Sequence, residues 1–74
     1  MRIVARWETQ GGAYWCQLEQ DEETGYYYWD MRNGGGSTGP VDGDAGAIAH
    51  IEGLWASGLR MMPDANKRPM RRVI

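Results

Sequence analysis

Apolar and polar positions alternate with a period of two at the start of the chain. Ile3, Ala5 and Trp7 alternate with Val4, Arg6 and Glu8, the pattern of a half-buried strand. Gln10-Gly11-Gly12 is a turn signal. Tyr14, Cys16 and Leu18 then alternate with Trp15, Gln17 and Glu19. The run Asp21-Glu22-Glu23-Thr24-Gly25 predicts a type I turn closed by a left-handed glycine. Tyr26 to Arg32 follows, rich in side chains that suit a pleated surface. With Tyr27, Trp29 and Met31 facing inward, Tyr26, Tyr28, Asp30 and Arg32 face outward. The pattern predicts a three-stranded antiparallel meander.

Residues 33–43 read as a glycine-rich loop, because Gly34-Gly35-Gly36 and Gly39 leave the backbone little preference. Beyond it the period changes. Ala47, Ile48, Ile51, Leu54 and Trp55 recur at spacings of three and four, one stripe of an amphipathic helix, with His50, Glu52 and Gly53 opposite. Asp42 or Asp44 is the expected cap, and Gly58 fits the position that ends helices. Leu59 to Met62 is a candidate fourth strand, and Pro63-Asp64-Ala65-Asn66 a turn. The basic segment 63–74 ends as an edge strand or a free tail, since Pro69 excludes a central strand. The expected fold is a single α+β domain over 1–74: two layers, a three-stranded antiparallel meander, one helix on one face, and one or two short C-terminal strands. The other sheet face is left to water, and it carries some of Trp15, Tyr26, Tyr28 and the acids.

Composition narrows the function. A chain of 74 residues supports one thin core. A single cysteine excludes a disulfide framework and a cysteine zinc site. The apolar runs are too short to span a membrane, and the N-terminal residues lack a secretory pattern. The expected location is the cytoplasm of a bacterial host. The net charge of −2 hides a split. Residues 8–52 hold nine acids and one base, a net of −8, whereas residues 53–74 hold one acid and five bases, a net of +4.

Catalytic signals are weak. Gly34 to Gly39 fits the letters of a dinucleotide-binding turn, but Pro40 follows and Asp42 and Asp44 would repel a phosphate. Cys16 lies at an alternating position between aromatics, and His50 falls on the outward side of the helix. Cys16 therefore reads as a buried thiol and not as a nucleophile. Asp21-Glu22-Glu23 lacks calcium-loop spacing. No catalytic residue, no metal and no cofactor is expected.

The surface carries the signal instead. Glu19, Asp21, Glu22 and Glu23 crowd one hairpin end, with Asp30 on the adjoining strand. Carboxylates spread over a sheet can take the place of phosphates against Lys and Arg. Their plainer role is solubility. Tyr26 and Tyr28 are candidate anchors, since aromatics carry much of the energy at interfaces. Lys67, Arg68, Arg71 and Arg72 form a basic segment: a solvated end, an arm for nucleic acid, or an intramolecular or dimer clamp on the acidic face.

The order of three strands and a helix, with the acidic hairpin Glu19-Gln20-Asp21-Glu22-Glu23, resembles the small phage proteins of the anti-CRISPR class. The likeness is one of size and character over the whole chain, and no residue is carried over from it. It implies a non-enzymatic inhibitor that blocks the nucleic-acid groove of a CRISPR effector by protein–protein contact, with the acidic surface mimicking DNA. The order of Tyr26–Trp29, 33–39 and Ala45–Ile51 is also similar to YegP-like short domains. The alternatives are a single-stranded nucleic-acid module that uses the basic tail and exposed aromatics, a HicB-like antitoxin, and a structural interaction domain, including a homodimer.

Overall fold

The computed structural model describes residues 1–12, 14–31, 34–56 and 70–74. Its elements are β1 (Arg2–Glu8), β2 (Trp15–Gln20), β3 (Tyr27–Met31), β4 (Gly34–Ser37), α1 (Gly43–Ala56) and β5 (Arg71–Arg72). The strands form one antiparallel sheet in the order β4-β3-β2-β1-β5. The class is α+β, as expected; among the described residues the sheet has five strands, the meander being extended by β4 and a short C-terminal strand, β5, added on the other side.

The first two hairpins follow the alternation. Ala5 pairs with Leu18, and Trp7 with Cys16, which pairs in turn with Met31. All of these are buried, and Tyr27 joins them. Ala47 and Ile51 of α1 close the core from above, with Ile48, Leu54, Val41 and Met70 packed around it. Full burial of a side chain such as Leu18 or Ile51 contributes about 1.5–3 kcal/mol. The Trp55 side chain, Gly58, the Leu59–Met62 segment, the Pro63–Asn66 turn, Arg32, Lys67 and Arg68 lie outside the described residues.

Two departures from the periodic pattern have clear causes. The pairing of β1 with β2 shifts register between Ile3 and Ala5. Val4 is the extra residue of this bulge, and a bulge reverses the alternation beyond it. Ile3 therefore pairs with Glu19 and is 50% exposed, instead of continuing the inward row of Ala5 and Trp7.

The second departure is the glycine run, expected as a loop. Residues 34–37 form β4 along the edge of β3. Glycine weakens a strand unless something packs where its side chain is missing. Trp29 does this: it pairs with Gly36, and a Cβ on Gly36 would stand 2.9 Å from its ring. An aromatic laid across a facing glycine restores the packing that glycine lacks. The resemblance to a dinucleotide turn ends here, because Gly34, Gly35 and Gly36 are strand and the helix opens only at Gly43, beyond Pro40.

The C-terminal segment resolves one expectation. Arg71 and Arg72 pair with Glu8 and Trp7 as a two-residue edge strand. Of the two candidate caps, Asp42 stands at the position immediately before α1. Gly46 N–H donates to the Asp42 backbone oxygen at 3.2 Å, and the Asp44 carboxylate turns away to Arg2 and Tyr27.

Candidate functional site

The hairpin joining β2 to β3 is set by Asp21. Its Oδ1 accepts from Glu23 N–H at 2.9 Å and Thr24 N–H at 3.3 Å. Its backbone oxygen accepts from Gly25 N–H at 2.7 Å, and Gly25 has φ 77°. Asp21 thus builds the turn as well as charging it. Glu22 and Glu23 project into solvent at the tip, and Tyr26 beside them is 63% exposed. Met1, Asp21, Glu22 and Glu23 line a shallow hollow there.

On the sheet face away from α1, Glu19 pairs with Tyr28 and Gln17 with Asp30. Both Glu19 and Tyr28 are half-buried, whereas Asp30 is exposed. The seven residues Glu19, Asp21, Glu22, Glu23, Tyr26, Tyr28 and Asp30 thus run from the hairpin tip down one face of β2 and β3. Arg71 and Arg72 are exposed on β5, beside the far end of β1. That places them across the sheet from the acidic tip, separated by roughly 20 Å, the length of a seven-residue strand. Within the chain Arg71 and Arg72 thus stand away from Glu22 and Glu23, and Arg71 lies beside Glu8 instead.

Alternation also puts a ladder on this open face that sequence reasoning left unassembled. Arg6 donates to Glu8 at 2.6 Å and to Gln17 at 3.1 Å, and Gln17 donates to Glu19 at 2.7 Å. The Arg6 guanidinium lies 4.7 Å from the Trp15 ring centre, a cation–π contact that covers the indole. The period-two pattern already put Arg6, Trp15 and Gln17 on outward positions. Their mutual bonding needed the register.

A second cluster lies at the start of α1. The Asp44 carboxylate accepts from Arg2 at 2.8 and 3.0 Å and from the Tyr27 hydroxyl. Those bonds, that of Arg2 first, lower the Asp44 pKa to about 2 and raise those of Arg2 and Tyr27. One acid of this end is therefore already paired with a base, while Glu22 and Glu23 are exposed.

Cys16 is fully buried, and desolvation pushes its thiol up to about 12. His50 is exposed on α1. The two are not a nucleophile and base, since a buried neutral thiol is inert. The Trp7 indole N–H reaches the Glu52 carboxylate at 3.3 Å, a contact between distant residues without a local signal. Among the described residues no three of His, Cys, Asp or Glu come together as a metal site, and no helix is long and apolar enough to cross a membrane. Compared with known proteins, the chain matches no family model, no curated protein and no solved structure.

Proposed function

We propose that this chain is a non-enzymatic inhibitor that binds the basic, nucleic-acid-binding groove of a partner protein through its acidic hairpin end. The observation that carries the reading is the juxtaposition at the tip. Glu22, Glu23 and Tyr26 are exposed together, which offers charge and an aromatic anchor on one rigid hairpin. Glu19, Tyr28 and Asp30 extend this surface along the open face. Carboxylates in this arrangement compete with phosphates for Lys and Arg. The partner that the likeness of class implies is a CRISPR effector complex of a bacterial host.

Direct nucleic-acid binding has less support. Among the described residues the exposed aromatic, Tyr26, sits among acids, and Trp15 is already covered by Arg6. The test is loss of target-DNA binding by purified effector complexes when the chain is added. Glu22→Lys with Glu23→Lys relieves the block if the acidic end makes it. Undiminished inhibition by the folded double variant removes the acidic-end mechanism. Inhibition of no effector type removes the partner assignment.

A further inference from the structure

We propose that β4 is a docking edge for an extended segment of another protein, one that carries a basic residue and, two positions away, an apolar one. Among the described residues β4 ends the sheet, and all four of its residues are exposed. Its main-chain groups divide cleanly. Thr38 N–H donates to the Tyr27 oxygen at 3.2 Å. By the alternation of an antiparallel ladder, Gly36 and Gly34 also bond inward to β3, and Gly35 and Ser37 direct N–H and C=O outward. Exposed edges are commonly blunted by charged side chains or proline. This one has neither between residues 34 and 37.

Missing side chains let β3 reach across β4 to the edge. On the open face the Asp30 carboxylate leans over Gly35, where a Cβ would stand 3.4 Å from its Oδ1. On the core side the Trp29 indole lies over Gly36. Just beyond, Tyr26, Ser37, Gly39 and Pro40 line a mostly apolar hollow of about 360 Å³. The sites alternate as strand side chains do. A segment running antiparallel to β4 places an apolar residue in the Tyr26–Pro40 hollow. Its next residue packs against Trp29, and the one after that sets a Lys or Arg beside Asp30. Main-chain bonds to Gly35 and Ser37 supply the affinity, and the alternate side chains supply the choice of partner. The occupant is a basic peptide because Asp30 is the charge it must meet. This edge shares Tyr26 and Asp30 with the acidic surface, but it rests on the main-chain groups of β4 and does not depend on Glu22 and Glu23.

The probe is the peptide acetyl-Thr-Thr-Leu-Val-Lys-Thr-Thr-amide, titrated into the ¹⁵N-labelled full chain and followed by NMR. Saturable shifts centred on residues 34–39, with Tyr26 and Asp30, are expected. N-methylation of the peptide Leu or Lys removes a bond to β4 and weakens binding at least tenfold. N-methylation of its Val, whose N–H points away, leaves binding within twofold. Asp30→Asn weakens binding about threefold while keeping the fold, and Ser37→Pro removes an outward donor and weakens it at least tenfold. Absence of shifts at millimolar peptide overturns the proposal. So do shifts centred elsewhere, equal effects of the three N-methyl peptides, or a β4 edge filled by a second copy in sedimentation.

Discussion

Trp29 lies directly across the sheet from Gly36, with its ring where a side chain on Gly36 would stand. The relationship makes a strand of a glycine run. Gly36→Ala puts a Cβ 2.9 Å from the ring and lowers stability by about 1–3 kcal/mol, the cost of overpacking. In a Trp29→Ala background the same change costs less, so the double-mutant cycle has a nonzero coupling energy. Urea denaturation of the four proteins measures it.

Gly53 behaves in the opposite way. It lies within α1, and a Cβ there meets nothing within 4 Å. Gly53→Ala raises stability by about 0.5–1 kcal/mol through helix propensity alone. The denaturation midpoint rises with an unchanged slope.

These two glycines also mark what the sequence makes legible. The three strands β1–β3 and α1 follow from periodicity, because each buries a single face and the side chains record it. The strand β4 is hidden, because its residues have almost no side chains and its partner is Trp29 on the preceding strand. Ile3 is misplaced by alternation because the bulge at Val4 is a backbone event. The tip residues Asp21, Glu22, Glu23 and Tyr26 are readable, since they lie within one turn. The Arg2–Asp44–Tyr27 cluster and the Trp7–Glu52 bond join residues far apart in the chain, and only the tertiary fold brings them together.

The Asp44 cluster gives stability an acid-side dependence. The Asp44 pKa is near 2 when folded and 3.8 when free. A lowered carboxylate pKa means that the unfolded chain binds the proton first as pH falls. The contribution is complete above about pH 4 and is lost as pH falls from there through 2. Asp44→Asn flattens that part of the pH–stability curve, and Tyr27→Phe reduces it. An NMR titration of the Asp44 carboxyl carbon with a midpoint near 4 contradicts the account.

Cys16 gives the alkaline counterpart. Its folded thiol titrates near 12 against 9.0 when free. The unfolded chain loses the proton first as pH rises, so this contribution is complete below about pH 9 and declines above it. Thiol reagents at pH 8 modify Cys16 at the rate of opening, and denaturant accelerates the reaction strongly. Rapid labelling of the native chain would show an accessible thiolate.

Asp21 has two roles that substitution separates. Asp21→Asn keeps the Oδ1 acceptor for Glu23 and Thr24 N–H and changes stability little. Asp21→Ala removes it and costs about 1 kcal/mol, the net value of a typical intramolecular hydrogen bond. Loss of partner affinity in Asp21→Asn then reports the charge alone. Equal stability of the two variants in thermal unfolding contradicts the turn-building role.

The far placement of Arg71 and Arg72 from Glu22 and Glu23 has a consequence before any contact is made. Charges of opposite sign held at two ends of a rigid sheet form an electric dipole, and a dipole turns in an external field. Near a cationic groove the hairpin is drawn forward while the arginines trail. Fewer approaches are then wasted on the wrong orientation, and the encounter rate rises above that of an evenly charged domain. Salt shortens the reach of this torque to about 8 Å at physiological strength, so the gain is confined to the last stage of approach.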